Sequence, residues 1–221
     1  MRVALYWAPE LDDPLHARAS AWLGRDAETG AAIAQPEVPG IVEATADPRL
    51  YGFHATLKAP FRIATSWEQV VATSEALAAE TTPFTLPPLM VQNLRGFLAL
   101  IESEPCPALD AFAAACVQAL EPHRAPLTTE EIARRRPERL SERQRAQLDR
   151  WGYHLVFEDF QFHGTLTGRL PDVQRAVIEP AVTEFLGDLP ARRRLVRELC
   201  LFTQAAPGAP FAIARRLPLR G

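Results

Sequence analysis

At 221 residues with 48% hydrophobic content, the chain is long enough for one large domain or two small lobes around an ample core. A formal charge of −3 argues against a general attraction to nucleic acid or an anionic membrane, so any anion site must be local. Cys106, Cys116 and Cys200 are odd in number and unpaired in spacing, which reads as reduced thiols rather than a disulfide framework or a zinc site.

In chain order, residues 2–8 are β-branched and aromatic and read as a strand closed by Ala8-Pro9. This opening run is too short for a secretory leader, and no later run approaches the ~20 apolar residues of a membrane span, so the expected location is the cytoplasm, with no membrane partner. Asp12-Asp13-Pro14 starts a helix over 14–24. Glycines and prolines recur through 24–48, which predicts a long surface loop. A strand follows over 53–61, then a helix over 67–80 capped by Ser66, then strands near 84–94 and 97–103. The rest reads as a helix over 107–121, a charged stretch to about 150, a strand over 160–168, a helix over 172–187, and strands near 195–203 and 210–217.

The segment Phe53-His54-Ala55-Thr56-Leu57 recurs 109 residues later as Phe162-His163-Gly164-Thr165-Leu166, with only the middle position changed. Residues i and i+2 of a strand share a face, so each copy aims an imidazole and a hydroxyl into one space while Phe and Leu support it. The order around them repeats as well. Each motif strand is followed by a helix, a strand and a short apolar strand, Phe97-Leu98-Ala99-Leu100-Ile101 in one half and Phe211-Ala212-Ile213-Ala214 in the other. A duplication of this kind predicts one bilobal domain over 1–221, its halves centred on 53–57 and 162–166, with equivalent residues facing each other across a cleft.

Transfer at a phosphodiester needs a base for the attacking hydroxyl and an acid for the leaving oxygen, and a histidine pair supplies both at neutral pH. Thr56 and Thr165 are placed to donate hydrogen bonds to the non-bridging oxygens. The same alternation puts Lys58 beside His54 and Thr56, where it would neutralise phosphate, and Thr167 beside His163 and Thr165. Tyr51 and Tyr153 lie near the motif strands and are candidates to stack on or hydrogen-bond the substrate. Two histidines without a nearby Asp, Glu or Cys at ligand spacing do not make a metal site, and no cofactor is expected. His16 and His123 read as surface or turn residues, and Gly164 marks close approach of substrate or backbone.

Arginines concentrate in 134–145, and the interleaved Glu130, Glu131, Glu138 and Glu142 pair with them, so the usual meaning is a solvated face. One of these arginines is also placed to fold over the cleft as a substrate clamp. Arg192-Arg193-Arg194 reads as the surface opening of a strand.

The paired His-x-Thr motifs resemble those of the two-histidine (2H) phosphoesterase superfamily of the LigT type, on His54, Thr56, His163 and Thr165. The strings running from Tyr51 to Phe61 and from Arg134 to Leu140 look more specifically like the branch of phosphonate-metabolism proteins. The resemblance implies an α+β fold of two pseudo-symmetric lobes of mainly antiparallel sheet with outer helices and a central cleft. It further implies a metal-independent hydrolase acting on a small phosphodiester, cyclic ones included, such as a nucleotide or phosphoribosyl intermediate. A non-catalytic nucleotide or phospho-sugar binder and an RNA-end processing or ligase-like enzyme are the competing readings. Oligomeric state is not read from these residues.

Overall fold

Local signals set most element ends in the computed structural model, which describes residues 1–221. Strand β1 (Arg2–Trp7) leads to α1 (Pro14–Leu23), where Asp13 accepts the Leu15 N–H, Pro14 opens the first turn and Gly24, at φ 80, closes the helix in the left-handed conformation. The stretch expected to be an irregular loop holds two short helices, α2 (Ile41–Ala44) and α3 (Ala46–Arg49). Arg49 holds them in place by donating to the Leu23 carbonyl, Gln35 and Thr45. After β2 (Ala55–Arg62), a reciprocal Ser66/Gln69 capping box starts α4 (Trp67–Glu80). Then come β3 (Phe84–Leu86), β4 (Leu89–Leu94), β5 (Phe97–Glu102) and α5 (Pro107–Ala119). The charged stretch contains α6 (Thr129–Arg134) and α7 (Glu142–Trp151), and β6 (Gly164–Arg169), α8 (Asp172–Leu186), β7 (Arg194–Val196), β8 (Glu198–Gln204) and β9 (Phe211–Pro218) complete the chain.

Seven strands form one antiparallel sheet in the order β4-β5-β6-β2-β1-β8-β9, and β3 pairs with β7 in a small second sheet. The two lobes meet where β2 touches β6, through the single pair Ala55 and Gly164, the middle residues of the two motifs. That pairing lies on the pseudo-two-fold axis, as does the β3–β7 pair.

The order of strands corrects the repeat unit expected from the sequence. On either side of the axis β2 and β6 correspond, then β1 and β5, then β8 and β4, while β9 is an additional edge strand. The Phe97 strand is therefore the counterpart of β1, not of the Phe211 strand. Registers agree: Tyr6 and Trp7 face Thr56 and Ala55, just as Ala99 and Leu100 face Thr165 and Gly164. Helices follow the same symmetry, with α1 against α8 and α5 against α4. Each lobe is thus built from both halves of the chain.

The sheet's two faces differ. Val3, Leu5 and Trp7 of β1 join Ala55, Leu57, Leu100 and Leu166 in the main core beneath the helices. Trp7 packs between the two motif phenylalanines, 6.4 Å from Phe53 and 5.4 Å from Phe162. Ala4 and Tyr6 alternate to the other face, with Cys200, Phe202 and Phe211, and there the sheet stays open as a cleft. No helix is long and apolar enough to cross a membrane. All three cysteines are free and buried.

Candidate functional site

Both motif histidines lie immediately before their strands and are held identically. The His54 ring nitrogen Nδ1 is 2.8 Å from the Gly52 carbonyl, and that of His163 is 2.8 Å from the Gln161 carbonyl. A carbonyl only accepts, so each Nδ1 carries the proton, and Nε2 is left to receive or deliver a proton elsewhere. Gly164 is required by geometry: a Cβ there would lie 2.7 Å from Phe53 Cζ, so a side chain at this position would press on the Phe53 ring where β2 meets β6.

His54, Thr56 and Thr165 line a cavity of about 370 Å³, a volume suited to a small ligand. His163 is half-buried against the edge of Phe97, itself a wall residue, with ring centroids 5.9 Å apart. Of the other expected residues, Tyr51, Tyr153 and Thr167 also line the cavity. The Thr167 hydroxyl accepts the Leu98 N–H at 2.9 Å, where β6 bulges and the single residue Leu98 of β5 opposes three of β6.

Lys58 does not reach the cleft. The β1–β2 register advances from Tyr6/Thr56 to Leu5/Lys58, so Leu57 is an extra residue and the alternation reverses. Lys58 consequently turns to the helix side, buried, where Nζ donates to the Val117 carbonyl at 3.0 Å and to Glu121 at 3.1 Å. Both motif strands therefore bulge just after their motif threonine, so strict alternation fails beyond it.

Sequence reasoning missed several wall residues. Tyr6 stacks on His54 with centroids 3.8 Å apart and 22° between planes, and Tyr51 flanks the same imidazole at 5.8 Å while stacking on Phe211 at 5.0 Å. Arg2, Arg169 and Asp47 line the cavity, and Arg135 is the one arginine of the basic segment that does so. Of these only Arg135 falls in a segment the sequence singles out for a residue over the cleft; Arg2 and Tyr6 come from β1, which only the sheet order sets beside β2. Elsewhere in that segment Arg143 pairs with Asp159 at 2.9 Å, and Glu131 pairs with Arg62 of β2. Arg194, expected at the surface, is buried against Asp13.

Burial within the aromatic stack pushes the His54 imidazole down to about 4, the Gly52 carbonyl opposing the shift and the charge of His163 adding to it. Burial raises Tyr6 well above the usual tyrosine value and raises Tyr153 too, Arg135 opposing both. His123 is satisfied by Thr65 and Thr73, and His16 lies 3.4 Å from Asp26. Burial and then Arg135 lower His154, which stands behind Tyr153 and outside the cavity wall. No group of three or more His, Cys, Asp or Glu stands together in a metal-holding arrangement.

Two curated relatives are named ribose 1,5-bisphosphate phosphokinase PhnN. One, from Janthinobacterium sp. (strain Marseille), is 37% identical across 100% of this chain and 51% of its own length. The other, from Laribacter hongkongensis (strain HLHK9), is 34% identical across 97% of this chain and 51% of its own. The chain thus spans about half the length of these relatives, and its one lysine, Lys58, is buried in no glycine-rich phosphate loop. Among solved structures, TT0787 of Thermus thermophilus is similar over 100% of this chain and 99% of its own, at 16% identity and a TM-score of 0.50, and shares the fold. Escherichia coli LigT complexed with 3′-AMP aligns over 100% of this chain and 98% of its own, at 18% identity and a TM-score of 0.44. The likeness to TT0787 stands at the level of the fold. The family described as protein of unknown function (DUF1045) matches residues 56–212, and the chain belongs to that family.

Proposed function

We propose that this chain is a metal-independent phosphodiesterase that opens a small cyclic phosphodiester, with His54 and His163 as its acid–base pair. One observation carries the reading. Two histidines that precede symmetry-related strands each fix Nδ1 on a carbonyl two residues back, which leaves each Nε2 for proton transfer, His54 in the cavity with Thr56 and Thr165, and His163 against Phe97 of its wall.

With its pKa near 4, His54 is neutral at pH 7 and suits the base. Its Nε2 takes the proton of the attacking water as the new P–O bond forms. The opposite P–O bond breaks, and its oxygen leaves with the proton of His163 Nε2, giving a phosphomonoester. Thr56 and Thr165 donate hydrogen bonds to the non-bridging oxygens as charge develops. The relatives' printed name suggests a phosphoribosyl substrate: opening a 1,2-cyclic diester of ribose 5-phosphate at O2 leaves ribose 1,5-bisphosphate.

The test is hydrolysis of a panel of 2′,3′-cyclic nucleotides and ribose cyclic phosphates in the presence of chelator, alongside His54→Ala and His163→Ala. Turnover by the unaltered protein, abolished in both variants, is expected. Full activity in either variant, or dependence on an added metal, overturns the reading.

A further inference from the structure

All three tyrosines of the chain line the one cavity that holds His54, and Arg2 and Arg135 line it with them. Neither arginine meets a carboxylate. Arg2 donates Nε to Gln204 at 2.7 Å and lies over the Phe211 ring, its guanidinium carbon 5.5 Å from the centroid. The Arg135 guanidinium lies over Tyr153 at 4.9 Å, and Arg135 is half-buried while Arg134 and Arg136 on either side are exposed. The turn that aims it is strained: Arg136, at φ 51 and directly before Pro137, occupies the left-handed region that both its side chain and the following proline disfavour. Arg2 and Arg135 both act on Tyr6, as do Tyr51 and Tyr153, so the five groups form one cluster.

This is more positive charge than a diester needs. A phosphodiester carries a single negative charge, and the histidines and motif threonines already address it. With Arg169 added, the cavity sets three arginines against the single carboxylate of Asp47. Guanidinium groups and phenolic hydroxyls are the donors that suit a phosphate monoester dianion. Building on the phosphodiesterase reading, we infer that Arg2 and Arg135, with the hydroxyls of Tyr51 and Tyr153, form a second anion subsite that binds a terminal phosphate monoester of the same substrate. The subsite selects doubly phosphorylated sugars over simple cyclic diesters and fixes which end of the substrate faces the histidines.

Two measurements test this. The first compares kcat/KM of the unaltered protein, Arg135→Gln and Arg2→Gln on ribose 1,2-cyclic phosphate with and without a 5-phosphate. Losing a charge-assisted contact should lower kcat/KM by about ten- to hundred-fold more on the substrate bearing the 5-phosphate. Equal losses on both substrates overturn the subsite. The second is calorimetric binding of ribose 5-phosphate to the unaltered protein, to Arg135→Gln, and to Arg135→Lys as a control that keeps the charge. Weakening in Arg135→Gln with partial recovery in Arg135→Lys supports the subsite even if no diester is hydrolysed, an outcome that would sink only the phosphodiesterase reading. Failure of the unaltered protein to bind ribose 5-phosphate overturns the subsite even if cyclic diesters are hydrolysed.

Discussion

The N-terminal motif sets its imidazole against the Tyr6 ring, 3.8 Å away, with Tyr51 on its flank, whereas the C-terminal motif leaves His163 with only the edge of Phe97 at 5.9 Å. The two sites share the same five-residue pattern and the same Nδ1-to-carbonyl hydrogen bond, so the contrast comes from the neighbouring strand. β1 offers Tyr6 opposite Thr56, and its counterpart β5 offers Ala99 opposite Thr165. The same motif occurs twice, and Tyr6 where the counterpart strand has Ala99, together with Tyr51, gives the two imidazoles different surroundings. Desolvation by the stack favours a neutral His54, the state a base needs.

The largest effects should break this inequality directly. His54→Ala and His163→Ala should each lower kcat by about 10²–10⁴-fold on a substrate with an alkoxide leaving group. On a nitrophenyl diester, whose leaving group needs no acid, His163→Ala should lose much less than His54→Ala. The reverse order would exchange the two roles. Thr56→Val and Thr165→Val, which remove a hydroxyl at nearly constant volume, should each lower kcat by about 10- to 100-fold. A change confined to KM would instead make the threonines ground-state contacts.

The stack itself can be tested by pH. With His54 as the proposed base, kcat/KM should rise through its pKa, with an acid limb near 4. Tyr6→Ala admits water to the ring and should move that limb upward towards the ordinary histidine value near ~6.5, lowering activity at pH 5 more than at pH 7. An unmoved limb would detach His54 from the base role or Tyr6 from its tuning.

The sequence made the paired motifs, the helix caps at Asp13 and Ser66, and the four catalytic candidates legible because each is a local pattern with a local cause. What escaped it depends on register. Nothing in Thr56-Leu57-Lys58 announces that Leu57 is an extra residue in the ladder, and that bulge sends Lys58 to the opposite face. Tyr6 and Arg2 reach the cleft only because β1 inserts between β2 and β8, a pairing between distant parts of the chain. Arg135 cannot be told from its neighbours by composition, since the left-handed turn at Arg136 selects it. The true repeat was hidden for the same reason: β9 follows in chain order where a repeat member was expected, yet lies at the sheet edge without a counterpart.

The middle motif residue offers a structural version of the comparison. Ala55 and Gly164 face each other at the lobe junction, and only the C-terminal copy must be glycine, since its Cβ would meet the Phe53 ring at 2.7 Å. Gly164→Ala should therefore destabilise the fold by about 1–3 kcal/mol in urea unfolding. The smaller ring-free side chain of Phe53→Leu should recover part of that loss in the double variant. Additive losses would mean that the ring is not what the new methyl meets.

The smallest expected effect separates proximity in sequence from proximity in the site. Lys58 is two residues from Thr56, but its ammonium lies beneath the sheet between the Val117 carbonyl and Glu121. Burial lowers its pKa while Glu121 opposes the shift, and Arg124 holds the same carboxylate at 2.7 Å. In Lys58→Met the stem's volume is kept and Glu121 retains a cationic partner, so the loss should stay at about 1 kcal/mol, well below the ~3–5 kcal/mol of an orphaned buried charge. Because no part of Lys58 lines the cleft, kcat and KM should match those of the unaltered protein. A selective loss of turnover in a fully folded Lys58→Met protein would mean that the bulge after Thr56 rearranges when substrate binds, returning the lysine to the face that strict alternation assigns it.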